Sequence, residues 1–179
     1  MPPVYRLFQF FTDLVLLREK PQHLPPSPVL LWLAAVAYVL LSTIHLWGVF
    51  PTRFEDLGAS LADVLAMLAF AWLVLTLRGL SARWLQTATA LVGGGVVIVL
   101  LAIPLSYAMT PDADGRLSGV GEFAMLLYWM LIVWNQIFIG HVLRYALNIP
   151  LLAGIGLGLL YSILSGLALQ GLFGPPAGG

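Results

Sequence analysis

Five long apolar runs, at about residues 29–48, 58–78, 84–109, 122–146 and 150–173, constrain this chain more than any other feature. Each is near or above the roughly 20 residues that an α-helix needs to cross a bilayer's hydrocarbon. No water is available there to backbone N–H and C=O groups, so the chain must satisfy them within a helix or around a closed barrel. The runs lack the period-2 alternation of barrel strands, which selects helices. Only 9% of the residues are charged, against about 25% in an ordinary soluble domain, too few to cover a globule with ionisable groups. The expected fold is an all-α integral membrane protein, a five-transmembrane-helix bundle forming one domain over residues 28–173. Its breaks coincide with turn signals: Pro51, the segment 78–83, the acidic stretch 111–115, and Asn148-Ile149-Pro150.

The segment 1–27 differs in kind. Between residues 4 and 19, Leu7, Phe8, Phe11, Leu14 and Val15 fall on one helical face, while Arg6, Gln9, Thr12, Asp13 and Glu19 fall mostly elsewhere. That pattern predicts an amphipathic helix lying in the membrane interface, or one packed across the ends of the bundle. Pro21, Pro25, Pro26 and Pro28 are expected to stop it. Asp13, Arg18 and Glu19 interrupt any signal-peptide core, so the segment is expected to stay on the mature protein. Residues 174–179 read as a short flexible tail.

Of the eight basic residues, Arg6, Arg18, Lys20, Arg78, Arg83 and Arg144 fall on the N-terminal side of the bundle, and Arg53 and Arg116 on the other. The positive-inside rule then predicts a cytoplasmic N-terminus and, after five spans, an external C-terminus. Trp47, Phe50, Trp84, Tyr107 and Tyr145 fall near span ends, where aromatic rings favour the interface. A formal net charge of zero argues against nucleic acid as a partner, and the absence of cysteine excludes disulfides, thiolate metal sites and cysteine nucleophiles.

Polar side chains within apolar spans are the first functional candidates in such a chain. His45, Asp63 and Glu122 are expected together in the outer leaflet, as a protonatable cluster or as a hydrogen-bonded tie between helices. Asn135 and Gln136 occupy the middle of the fourth run and His141 its cytoplasmic end; adjacent helical positions point about 100° apart, so Asn135 and Gln136 do not both face one neighbour. The histidines His23, His45 and His141 fall at different depths, which argues against a metal centre. Ile163 stands where the Gly-x-Ser-Gly pattern of intramembrane serine hydrolases would need glycine before Ser165, and no paired-glutamate motif appears. No catalytic residue and no cofactor is therefore expected. Gly93-Gly94-Gly95 and the series Gly154, Gly158, Ser162, Gly166 predict close helix contact; the partner of the last span is expected to be an internal span, such as the third through Gly93–Gly95, or the same span of a second copy. Pro104 is expected to kink the third span.

The segment 77–83 (Leu-Arg-Gly-Leu-Ser-Ala-Arg) leads into a glycine-rich span reaching Ile103-Pro104, followed by Tyr128-Trp129, by Leu143-Arg144-Tyr145-Ala146 and by a last span rich in small residues. In these features, over about residues 28–173, the chain resembles the bacterial branch of the Ypt-interacting-protein (Yip) domain family. The resemblance implies a five-helix membrane domain of the bacterial inner membrane without established catalytic residues. In eukaryotic members it implies a trafficking role through protein partners. The short N-terminal region departs from the long cytoplasmic extension of many trafficking members. Of two roles, the first is the expected one and the second its alternative. One is a non-catalytic scaffold or accessory subunit working through a membrane-protein partner or homo-oligomer. The other is a small permease or ion or proton pathway using the outer-leaflet cluster.

Overall fold

The computed structural model describes residues 3–49, 53–111 and 115–173, with side-chain detail lacking for 3–4, 48–49 and 53–55. The tail 174–179, Phe50 and the acidic residues Asp112 and Asp114 lie outside the described residues. Among the described residues six α-helices and no strands occur: α1 (Pro3–Val15), α2 (Pro28–Val49), α3 (Arg53–Leu77), α4 (Trp84–Ala108), α5 (Gly119–Leu147) and α6 (Leu151–Phe173). Helices α2 to α6 are long and apolar enough to cross a membrane. At 1.5 Å per residue even α2, with 22 residues, is about 33 Å long, against roughly 30 Å of hydrocarbon.

Local signals define the helix ends. Ser27 Oγ accepts from Leu30 N at 3.3 Å ahead of α2, and Ser118 Oγ accepts from Gly121 N at 3.1 Å ahead of α5. Gly79, at φ 67°, closes α3 through Leu80 N to Leu75 O at 2.8 Å. Asn148, at φ 54°, ends α5 with its N–H on Arg144 O, and Pro150 follows. Pro104 lies inside α4, whose helix runs on to Ala108.

Successive long helices alternate in direction, leaving two ends. One carries a 3-10 turn at Pro21–His23 and the junctions α3–α4 and α5–α6; the other carries the junctions α2–α3 and α4–α5. Helix α4 is the centre, with 67% of its apolar window buried against 22% for α5 and α6. It contacts α1, α2, α3 and α5, while α6 packs on α5 and α3. Its glycines make this possible. Three successive positions on a helix point in three directions, and Gly93 takes the Phe11 ring of α1, Gly94 the Phe138 ring of α5, and Gly95 the Tyr38 ring of α2.

The expected pairing of these glycines with the last span is therefore corrected. The stripe on α6 seats against α5: Gly154 stacks on the Gly140 carbonyl, Gly158 faces Ile139, and Ser162 bonds Gln136, while Gly166 has nothing within 4 Å of its missing Cβ. Gly140 completes the contact, since a Cβ there would come within 2.7 Å of Ile155 N.

Helix α1 is amphipathic but does not lie apart in the interface. Phe11, Leu14 and Val15 are buried, Trp134 Nε1 donates to Val15 O at 3.0 Å, and Phe8, placed on the apolar face by spacing, is exposed. The helix ends at Val15 and not at the prolines: Leu17 turns left-handed at φ 62°, and Arg18 N bonds Asp13 O at 2.8 Å.

Candidate functional site

The structure separates the three residues expected in one cluster. Glu122 is exposed in the first turn of α5, where a negative charge complements the helix dipole. His45 sits among α2, α4 and α5, its Nδ1 at 3.2 Å from Ser106 Oγ and its Nε2 at 3.0 Å from Tyr128 OH. Ser106 Oγ donates onward to Ile103 O at 2.8 Å. One arrangement satisfies every group: His45 Nδ1–H donates to Ser106, and Tyr128 O–H donates to Nε2.

Asp63 occupies a different place. Its Oδ2 accepts from Tyr38 OH at 2.6 Å; its Oδ1 accepts from Tyr161 OH at 2.7 Å and from Ser165 Oγ at 2.8 Å. Three helices thus meet on one carboxylate: α2, α3 and α6. Among the described residues no Lys, Arg or His forms an ion pair with it. Beside it lies a cavity of about 290 Å³, bordered by all five long helices through residues that include Met67, Gly95, Asn135, Tyr161 and Gly166. That size is at the lower end of small-molecule sites.

The depth of this site also corrects the expectation. Because α3 begins at Arg53, Asp63 lies deeper in its helix than the apolar run suggests. Tyr38, Asp63, Gly95, Asn135 and Tyr161 all fall within about two residues, roughly 3 Å, of the middles of their helices. The middle of the bundle therefore holds an acid, two phenols and Ser165 besides Asn135 and Gln136.

Gln136 and Ser162 exchange hydrogen bonds at 2.9 and 3.3 Å, tying α5 to α6, whereas Asn135 borders the cavity. His141 is buried near the first end, its Nε2 at 2.8 Å from Glu19 O and its ring against Tyr145. Among the described residues no group of three metal-ligating side chains forms.

Sequence reasoning missed Tyr38, Tyr161, Ser165, Ser106 and Tyr128. A signal existed in α2, where Tyr38, Ser42 and His45 recur at helical spacing on one face. Ser42 is buried, and its Oγ has no hydrogen-bond partner among the described residues. It stands between the Tyr38–Asp63 bond and the His45 network, so polar groups continue from the cavity toward the second end.

Fold and site together define a class: a bundle of five bilayer-length helices around a carboxylate held by hydroxyl groups. No protein-family model matches the chain, and neither a curated protein nor a solved structure is significantly similar to it.

Proposed function

We propose that the protein is a small membrane permease in which Asp63 binds a proton or a small cation at the bilayer midplane. The observation that carries this reading is the Asp63 carboxylate, which accepts three O–H donors beside a 290 Å³ cavity with no cationic side chain paired to it. A carboxylate within a membrane span is costly, and it commonly pairs with a cation or marks the path of a proton or ion. Among the described residues the protein supplies none, so a mobile cation is the fitting partner. The α2 face of Tyr38, Ser42 and His45 supplies polar groups for passage toward the second end.

The weight of basic residues makes the first end cytoplasmic, so the site communicates with the outside, in a bacterial inner membrane by the Yip-like resemblance. A role as a non-catalytic Yip-like scaffold rests on that resemblance alone.

The test is flux into proteoliposomes with a trapped pH-sensitive dye under an imposed potassium diffusion potential, repeated with sodium and lithium gradients. Wild-type protein is expected to conduct one of these ions above empty vesicles, and Asp63→Asn to lose that flux while keeping a wild-type elution profile in detergent. Wild-type vesicles as tight as empty ones to all three ions, or full flux through Asp63→Asn, would end the reading.

A further inference from the structure

Several side chains at the first end of the bundle are left unexplained by the cavity or by packing. Lys20, Arg83 and Arg144 lie there, on the segment after α1, at the α3–α4 junction and in the last turn of α5, and the N-terminal segment also carries Arg18 and two acids, Asp13 and Glu19. Both acids are engaged: Asp13 lies 3.9 Å from Arg18, and Glu19 Oε2 lies 2.7 Å from His23 Nδ1. Three cations converge instead on one residue, Tyr145, in the last turn of α5. Lys20 Nζ stands 5.4 Å from the centre of its ring and Arg144 Cζ 4.5 Å, while Arg144 Nη2 donates to its hydroxyl at 2.9 Å. Arg83 Nη1 reaches the backbone beside it, at 3.0 Å from Ala146 O and 3.5 Å from Tyr145 O.

Like charges brought together repel, and the aromatic face offsets only part of that. Capping the α5 carbonyls explains Arg83 in part, but not why two further cations share the ring. A guanidinium carries five N–H donors. The hydrogen bonds described use only Nη1 of Arg83 and Nη2 of Arg144, and Lys20 Nζ has no acceptor among the described residues. Spare donors and an excess of positive charge over the one nearby carboxylate, Glu19 beside Lys20, lie where α5 leaves its apolar length, at the level of lipid headgroups.

We propose that Lys20, Arg83 and Arg144, arranged around Tyr145, form a binding site for the phosphodiester of an anionic phospholipid. Charge complementarity selects an anion, and the position at the end of the apolar helices selects a lipid over a free ion. Tyr145 orients two of the cations, and Lys20 joins the N-terminal segment to the site, so a bound lipid bridges that segment to α5. This inference is independent of the Asp63 pathway.

Native mass spectrometry of the full chain in a mild detergent, titrated with phosphatidylglycerol, phosphatidylcholine and inorganic phosphate, tests it. Phosphatidylglycerol is expected to remain bound while phosphatidylcholine does not. Lys20→Gln, a change at an exposed side chain, should weaken retention about fivefold, and adding Arg144→Gln about fivefold more, at roughly one headgroup-level charge each. Arg6→Gln, in α1 and not among the described contacts of Tyr145, should leave retention unchanged. Equal retention of phosphatidylcholine, unaltered binding in Lys20→Gln, or an equal loss in Arg6→Gln would overturn the site. Displacement of phosphatidylglycerol by inorganic phosphate at equal concentration would overturn the lipid as its ligand.

Discussion

Gly154 and Gly156 look alike in the sequence and differ in what they face. A methyl added at Gly154 meets the carbonyl of Gly140, and the two backbones cannot part without separating α5 from α6; one added at Gly156 meets nothing within 4 Å. In lipid, where apolar surface is not expelled from its surroundings, such close approach is a main source of helix association. Gly154→Ala is therefore expected to lower stability by about 2 kcal/mol, the range of overpacked cores, and Gly156→Ala to be near neutral. Equal unfolding midpoints in detergent would remove the α5–α6 contact from the packing argument. At the Asp63 site, Tyr161→Phe keeps the ring and deletes one of three donors. It should cost about 1 kcal/mol, the scale of interhelical hydrogen bonds in membranes, measured by the same unfolding.

Helix α1 shows how an element is held from outside itself. Its 13 residues are marginal as an isolated helix, within the roughly 12–15 at which even good helix formers begin to hold in water. Phe11 over Gly93 and the Trp134 bond to Val15 O hold it against α4 and α5. Phe11→Ala should lower hydrogen-exchange protection of the α1 amides by roughly a hundredfold, about 3 kcal/mol, without changing protection in α4. The linker that follows has its own pH dependence. The hydrogen bond with His23 holds the Glu19 carboxyl below its ordinary value of 4.5, outweighing the opposing effect of burial. A depressed folded value means that this bond contributes above the ordinary value and is lost as pH falls through the folded one. Exchange at the His23 and Leu24 amides, corrected for its intrinsic pH dependence, should therefore rise on acidification below 4.5. Glu19→Gln should abolish the acid-side rise.

For the whole molecule, five crossings by the long helices would put Pro3 and Phe173 on opposite sides of a bilayer. The proposed direction is the one that the positive-inside rule favours. A reporter active only outside the cytoplasm is expected to be active when fused after Gly179 and silent when fused at Leu80. The reversed pair of results would place Lys20, Arg83 and Arg144 on the outside and turn the Asp63 route toward the cytoplasm.

The number and approximate limits of the long helices were legible in the sequence because they follow from chain length against bilayer thickness, a one-dimensional quantity. So was the apolar face of α1, and so was the need for close packing at Gly154 and Gly158. Which helix each glycine meets was not, because rotation about a helix axis is set by neighbours: Gly93, Gly94 and Gly95 face three helices and none of them is α6. The composition of the site was equally hidden. His45, Asp63 and Glu122 share a level in a hydropathy plot, yet His45 turns to Ser106 and Tyr128, Asp63 turns to Tyr38, Tyr161 and Ser165, and Glu122 stays exposed. Apolar length is a property of a segment and is written in order along the chain. The meeting of Tyr38, Asp63 and Tyr161 depends on how three helices are turned and staggered against one another, which tertiary packing alone decides.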